Sequence, residues 1–196
     1  MPFWYVAPLK HSKLSDTFLY VFFDTECTQD LEKCDGTFEQ LPKLIWAQQM
    51  GSKCEAVDDL SVDCEQCGKH VHVFWQEPVG KFIDHLRQTR PFVDKVYVIS
   101  HNSRGYNAQF LLRWFLEPRW TSNLIMDGSK ILSMVVENLH FPDSLNYLPI
   151  CLKSMLKSFD LTCKKGYYTH FFNTANNLDY VGSHLEHKFY GPDFMV

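Results

Sequence analysis

The sequence predicts an α/β domain in which a mixed β-sheet carries helices on its faces. Two apolar runs, residues 18–23 and 95–100, have the length and composition of buried strands. Between and after these runs lie stretches with apolar residues at helical spacing. A third observation is the pair Asp127-Gly128, a strong hairpin turn signal between two strand-like stretches.

The bulk composition is that of an ordinary globular domain. The 196 residues are 45% hydrophobic and carry a formal net charge of −4, so a contact with nucleic acid must come from a local groove. No apolar run approaches the ~18 residues of a membrane helix, and the first residues lack a secretory signal pattern. The cysteine count of seven is odd, which fits an intracellular, reduced protein better than a disulfide scaffold.

The chain divides into a lead-in, one domain and a tail. Residues 1–16 are predicted to be irregular, 17–163 to form the domain, and 164–196 to form an aromatic tail. Within the domain, 27–69 is predicted to be a polar, Cys-containing insertion with little core of its own. A connection of this length is usually functional or held by a metal.

The first strand, 18–23, is apolar on both faces, so we expect it to be buried on both sides at the centre of the sheet. The next strand should present His70 and His72 on its surface. The elements after the insertion are a strand over 70–75, a helix begun by Pro78, a strand over 95–100, a helix over 106–116, a hairpin of 123–126 with 130–137, and a short helix over 150–159.

The first strand is predicted to end at the acidic motif Asp24-Thr25-Glu26. Carboxylates two residues apart on a strand point to the same side, and burying them is costly without a cation. A pair of Mg²⁺ or Mn²⁺ ions, as in enzymes that cleave phosphodiesters, would balance the charge. A charged turn after a hydrophobic strand explains this segment about equally well.

The strand over 95–100 runs into a second polar motif, His101-Asn102, which is followed by the aromatic Tyr106 and by Asn107. By itself, His-Asn after a strand is more typical of a helix cap than of a site. Combined with the acidic motif, it resembles the first and second exonuclease motifs of protein-primed family B DNA polymerases. Further stretches resemble the polymerases of Maverick or Polinton DNA transposons, namely 23–30, 143–149, 152–154, 164–174 and 190–195.

The resemblance implies a ribonuclease H-like fold that proofreads the 3′ end of single-stranded DNA. Asp24 and Glu26 would ligate catalytic Mg²⁺ or Mn²⁺, which activates a water and stabilises charge on the phosphate. In the parent protein, the partners would be the polymerase domain and a protein primer. An expressed product is expected in the nucleus.

The same resemblance assigns residues that would bind the DNA. Thr25 or Thr28 would donate a hydrogen bond to the terminal nucleotide, and Asn102 would bond to the strand. Tyr106 and Phe110 would stack against the last bases, a contact worth roughly 1–3 kcal/mol per base that tolerates any sequence.

Position 107 departs from the family pattern. The family has a metal-binding Asp there, whereas Asn107 offers an amide oxygen without charge. The third exonuclease motif and the polymerase palm are not found. We therefore expect a fragment of a DNA-directed DNA polymerase that is weak or inactive as a nuclease. The alternatives are a non-catalytic single-stranded-DNA-binding domain and a non-functional remnant of a transposon polymerase.

The Cys-containing stretch offers a second metal site. Cys54, Cys64 and Cys67 supply three thiolates, and either His70 or Cys34 would complete the four ligands of a Zn²⁺ site. The residue three places before Cys54, where a second Cys-x-x-Cys arm would put a ligand, is a glycine. The alternative is that the site is empty and that the thiols are ordinary buried or solvent-facing groups.

Overall fold

A computed structural model describes residues 17–52, 54, 62–65, 67–88, 93–116, 120–162, 168–169, 172–177 and 179–190. The predicted lead-in over 1–16 lies outside these residues, as do 163–167 and 191–196 of the chain end. In chain order the elements are β1 (Phe18–Glu32), β2 (Phe38–Gly51), β3 (Val71–Trp75), α1 (Pro78–Leu86), β4 (Lys95–Ile99), α2 (Asn107–Phe115), β5 (Ser122–Asp127), β6 (Lys130–Val136), β7 (Leu139–Pro142) and α3 (Leu152–Ser158).

The seven strands form one mixed sheet in the order β3-β2-β1-β4-β7-β6-β5. The first three strands are an antiparallel meander. β4 lies parallel to β1, and β7 lies parallel to β4. A parallel neighbour requires a crossover connection, and α1 lies in the connection from β3 to β4. The fold class is therefore confirmed as a ribonuclease H-like mixed sheet with flanking helices.

The odd-numbered residues of β1 build the core. Leu19, Val21 and Phe23 are each at most 5% exposed, and they belong to one apolar cluster with Phe82 of α1 and Leu111 of α2. The rings of Phe23 and Phe82 lie 5.0 Å apart. Full burial of side chains of this size contributes roughly 1.5–3 kcal/mol each. This face of β1 therefore packs in one apolar core with both helices.

The even-numbered residues of β1 lie on the opposite, open face, so the prediction of two-sided burial is wrong. Tyr20 is 36% exposed and Phe22 is 41% exposed. Trp46 of β2 and Trp75 of β3 are also exposed. These rings shield one another instead of packing under a helix, since the Tyr20 ring lies 6.3 Å from that of Phe22 and 4.8 Å from that of Phe18. The apolar residues on the even-numbered side of β1 thus reflect contacts between aromatic rings, whereas those on the odd-numbered side reflect burial in the core.

The first part of the predicted insertion over 27–69 belongs to the sheet. β1 continues to Glu32 and returns as β2, and their pairing runs from Leu19 opposite Gly51 to Glu32 opposite Phe38. The expectation of a segment with little core is therefore wrong for 27–51. Residues 31–38 at the tip of this hairpin are all exposed, which explains their polar composition. In the rest of this segment, up to residue 69, the described residues form only an isolated bridge between Cys64 and Gly68.

The later elements agree with the sequence, apart from the strand β7, which was not predicted, and the position of one histidine. The helices α1 and α2 begin within one residue of their predicted starts, α3 begins two residues after its predicted start, and the hairpin turns at Asp127-Gly128 as expected. His70 precedes β3 and is 1% exposed, so it does not lie on the strand surface. Its ring lies beside β2, where Nδ1 is 2.8 Å from the carbonyl oxygen of Gln49. No helix in the described part of the chain is long and apolar enough to span a membrane.

Candidate active site

The acidic motif lies where β1 extends beyond its parallel neighbour, and not at the end of β1 as predicted. Pairing with β4 stops at Phe22 opposite Ile99, and β1 continues along β2 alone. Asp24 is exposed and Glu26 is half-buried, while Thr25 between them is buried. The two carboxylates therefore share one side of the strand, as the two-residue period requires. The space beside them is left by the end of β4.

The second motif meets the acidic motif through Asn107. This residue begins α2 and is 3% exposed. Its Nδ2 donates a hydrogen bond of 2.6 Å to Ser100 Oγ and one of 3.2 Å to Asp24 Oδ1. Asp24 Oδ1 also accepts a bond of 3.0 Å from the backbone N–H of Thr25. The structure thus brings together Asp24 and Asn107, two of the three predicted catalytic positions, which are 83 residues apart in the sequence.

The amide oxygen of Asn107 is buried and has no hydrogen-bond partner among the described residues. Leaving a buried acceptor unsatisfied costs about 1–3 kcal/mol, and such a group in a folded protein requires an explanation. Here the unsatisfied oxygen lies on the side chain that contacts the Asp24 carboxylate. It is therefore available to a donor or a cation that enters the site.

Tyr106 lies near Cys27, the residue that follows the acidic motif in β1. It is hydrogen-bonded to the thiol of Cys27, and its ring meets that of Phe110 edge-on at 5.0 Å. Burial is the main cause that raises the pKa of Cys27 to about 11; the bond to Tyr106 lowers it, and the Glu26 and Asp24 carboxylates add to the increase. Burial and then Cys27 likewise raise the pKa of Tyr106. Both groups are therefore neutral at physiological pH.

Asn102 lies on an exposed turn between β4 and α2. Its backbone is left-handed, with φ of 58°, and its side chain makes no capping hydrogen bond to the short helix Ser103–Gly105 that follows. The side chain of Asn102 therefore does not act as a helix cap. The amide is presented to solvent, where it can bond to a ligand.

Asp143 fixes the turn that carries Asn102. It is 1% exposed, and its carboxylate accepts a bond of 3.0 Å from the backbone N–H of Arg104 and one of 2.9 Å from that of Leu145. The hydroxyl oxygen of its neighbour Ser144 lies 3.0 Å from His101 Nδ1. The segment after β7 is therefore bonded to the second motif at several points.

Thr25 and Thr28 are not presented to a ligand. They are 6% and 1% exposed, and Thr25 points to the side of the strand opposite to the two carboxylates. The hydrogen bond to a terminal nucleotide that the resemblance implied for them would require β1 to rearrange.

Two residues of the chain end, which were not predicted as site residues, lie beside the acidic motif. Asn173 donates a bond of 2.8 Å to the carbonyl oxygen of Cys27. Tyr168 is half-buried, and after burial itself the charge of Glu26 raises its pKa. Both residues line a cavity of about 800 Å³ together with Leu44, the strand partner of Glu26. Their only signal in the sequence was the family-like stretch 164–174.

The residues present fit one divalent cation better than two. Asp24 and Glu26 provide carboxylate oxygens, the ligand type that Mg²⁺ and Mn²⁺ prefer. Asn107 directs its NH₂ group toward Asp24, so rotation of the amide would be needed to turn its oxygen toward a shared ion. Residue 107, the third ligand position, therefore contributes no charge, and the site loses much of its affinity for a second cation.

Comparison with known proteins gives the fold. No protein-family model matches the chain, and no curated protein matches it. The orthorhombic crystal form of Phi29 DNA polymerase matches with a TM-score of 0.51 at 13% identity, over 76% of this chain and 24% of that chain. Phi29 DNA polymerase complexed with single-stranded DNA matches with a TM-score of 0.51 at 14% identity, over 76% of this chain and 25% of that chain. The chain thus spans about a quarter of the polymerase, whose fold it shares in that region.

Proposed function

We propose that this chain is the exonuclease-like, single-stranded-DNA-binding part of a protein-primed family B DNA polymerase of the Maverick or Polinton type. Its ligand is the 3′ end of a DNA strand. The observation that carries the proposal is the contact between Asp24 and Asn107, because it joins the two motifs on which the resemblance rests. The similarity of the fold to Phi29 DNA polymerase supports the same assignment.

The side chains around this contact suit a single strand better than a duplex. Tyr106 and Phe110 offer partly accessible rings next to the carboxylates, and aromatic rings stack on unpaired bases of any sequence. Asn102 adds an exposed amide that can bond to a phosphate or a base edge. The net charge of −4 gives no general attraction for DNA, so binding depends on these local contacts.

The neutral Asn107 makes this chain a weak nuclease or none. When Mg²⁺ or Mn²⁺ is bound, it would activate a water and neutralise charge on the attacked phosphate. Asp24 and Glu26 would hold that ion, but the third ligand position lacks the charge that a second ion needs. We therefore assign binding of the strand to the aromatic and amide residues, and only residual cleavage to the acidic pair.

Binding is tested with a single-stranded oligonucleotide that carries a fluorophore at its 5′ end. We expect anisotropy to report binding with EDTA present, and the affinity to fall with added salt. Tyr106→Leu should weaken binding about 10- to 100-fold, which corresponds to one lost stacking contact. Tyr106→Phe keeps the ring and should bind within a few-fold of the unchanged chain. Equal binding by all three proteins would refute the assignment of Tyr106.

Cleavage is tested on the same oligonucleotide in Mn²⁺ by following its length. We expect little shortening from the 3′ end, and none with Asp24→Ala. A circular single strand of the same composition serves as the competitor without an end, and it should compete less well than the linear strand. Robust shortening that Asp24→Ala abolishes would show that the neutral Asn107 does not limit catalysis.

A further inference from the structure

Three cysteine thiols converge at the edge of the sheet formed by β2 and β3. Cys54 Sγ lies 3.4 Å from Cys64 Sγ and 3.1 Å from Cys67 Sγ, and all three sulfurs lie within 4.8 Å of one another. Four ligands arranged tetrahedrally at a Zn–S distance near 2.3 Å place sulfurs about 3.8 Å apart. The triad is therefore close to the spacing that one zinc ion requires. A disulfide would satisfy two of these sulfurs and leave the third.

The turn that carries Cys64 and Cys67 is built to hold two thiols together. Cys64 and Gly68 exchange backbone hydrogen bonds of 2.9 and 2.8 Å, which closes a tight loop over the Cys-x-x-Cys spacing. Gly68 has φ of +74°, a conformation that glycine adopts without strain. The buried amide of Gln49 holds the loop to β2 by donating to the carbonyl oxygens of Cys67 and Lys69 at 2.6 and 2.9 Å. The two sulfurs are thus positioned before any ion binds.

The third thiol comes from a second turn at the end of β2. Cys54 N–H donates to the carbonyl oxygen of Gly51 at 3.0 Å, and the N–H of Gly51 lies 3.2 Å from Cys54 Sγ. A Cβ at position 51 would lie 3.4 Å from Cys54 Sγ and 3.6 Å from Cys67 Cβ. Gly51 therefore occupies a place from which a side chain would enter the triad.

His70, and not Cys34, is the nearest candidate for a fourth ligand; neither of its ring nitrogens lies within 4.8 Å of all three sulfurs, so the ring must turn toward the triad to bind an ion. The ring is 1% exposed, Nδ1 lies 3.9 Å from Cys67 Sγ and 2.8 Å from the Gln49 carbonyl oxygen, and Nε2 has no partner among the described residues. Metal-binding histidines commonly donate one ring N–H to a carbonyl and bind through the other nitrogen. Cys34 precedes Phe38 at the far end of β2, roughly 40 Å away by strand rise.

We propose that Cys54, Cys64 and Cys67 bind one zinc ion as thiolates, that His70 supplies the fourth ligand, and that the ion ties the end of β2 to the start of β3. Soft thiolate ligands select zinc over Mg²⁺ or Mn²⁺. Gly51 lies opposite Leu19, and Trp46 opposite Asp24, so the zinc site is roughly 16 Å along β2 from the acidic pair. With four protein ligands the site is closed, which is typical of structural zinc.

The site is tested by adding zinc or cobalt to the reduced, chelator-stripped full chain. We expect about one zinc ion per chain by elemental analysis, and with Co²⁺ a thiolate charge-transfer band together with the d–d bands of a tetrahedral site. Cys67→Ser should lower the affinity at least tenfold, whereas Cys151→Ser, at an exposed thiol outside the triad, should leave it unchanged. No charge-transfer band in the unchanged chain would overturn the proposal.

Two variants test the fourth position. His70→Gln should keep the charge-transfer band but alter the d–d bands, and identical spectra would exclude His70 as a ligand. Gly51→Cys should tighten binding and raise the charge-transfer intensity by about one third, as four thiolates replace three. If Cys67→Ser does not fold, alkylation of the zinc-loaded unchanged chain decides instead. Protection of the three triad thiols, with Cys34 and Cys151 modified, supports the site, and equal modification overturns it.

Discussion

The side-chain amide of Asn107 donates a hydrogen bond of 3.2 Å to the Asp24 carboxylate, at the point where β1 runs past the end of β4. In an exonuclease of the family that the sequence resembles, a second carboxylate would face Asp24 at this point and a cation would separate them. Here a neutral amide makes a direct bond in place of that ion. The contact is therefore stable without metal, which changes what metal can add.

Asn107→Asp should make the stability of the fold depend on divalent metal. A carboxylate at this buried position would face Asp24 and lose the bond to it, so we expect the free energy of unfolding in EDTA to fall by about 2–4 kcal/mol. Saturating Mn²⁺ should recover about 2.7 kcal/mol at 100 times its dissociation constant. The measurement is urea denaturation with EDTA or with Mn²⁺, and 3′ shortening of single-stranded DNA should increase in Mn²⁺.

The matched control for this change is Asn102→Asp. It introduces the same charge at an exposed residue five positions away, where we expect a change within about 0.5 kcal/mol and no dependence on Mn²⁺. A loss of stability at position 107 that Mn²⁺ does not reverse would mean that the acidic pair does not hold an ion with residue 107.

Sequence patterns predicted those features of the molecule that depend on local chemistry. Pro78 begins α1 as expected from its fixed φ, and Asp127-Gly128 turns the hairpin of β5 and β6. The contact between Asp24 and Asn107 was expected from the combination of two motifs, each of which is ambiguous by itself. The positions of these residues follow from backbone preferences and from the pairing of β1 with the shorter parallel strand β4.

Features that depend on distant contacts were not predicted. β2 was not predicted because the tip of its hairpin is exposed and largely polar, so the sequence around it shows no clear strand pattern. Asn173 bonds to Cys27 across 146 positions, and no local pattern encodes such a pairing. Asp143 matched a family-like stretch, but its role became visible only with its bond to Arg104. The burial of His70 likewise depends on the loop that Gln49 holds.

Asp143→Asn should loosen the turn that carries Asn102. The buried carboxylate accepts from the backbone N–H groups of Arg104 and Leu145, and bonds to a charged acceptor contribute about 1.5–3 kcal/mol. We expect a loss of that size in urea denaturation and faster hydrogen exchange at the Arg104 amide. Asp84→Asn on the exposed side of α1 is the control and should change neither. Unchanged exchange at Arg104 would contradict the role given to Asp143.

Phe22 and Phe23 are adjacent in β1 and should differ sharply in their effect on stability. Phe23 is 5% exposed and packs on Phe82, whereas Phe22 is 41% exposed on the open face. We expect Phe23→Ala to cost about 3–5 kcal/mol and Phe22→Ala less than about 1 kcal/mol. Urea denaturation of the two variants measures the difference. Comparable losses would mean that the open face is covered in solution.

Cys27 and Cys151 should react with iodoacetamide at very different rates. Burial raises the pKa of Cys27 to about 11, whereas the Ser154 hydrogen bond lowers the pKa of the exposed Cys151. At pH 8 roughly one Cys27 in a thousand is a thiolate, so we expect Cys151 to react at least ~100-fold faster. The Cys27 rate should rise about tenfold per pH unit toward pH 11. Because its folded pKa exceeds the unfolded one, this thiol stabilises the fold below about pH 8.5, and that contribution is lost as pH rises toward 11. Peptide mass spectrometry after brief alkylation measures both rates, and rapid modification of Cys27 at pH 8 would show that this thiol is not buried in solution.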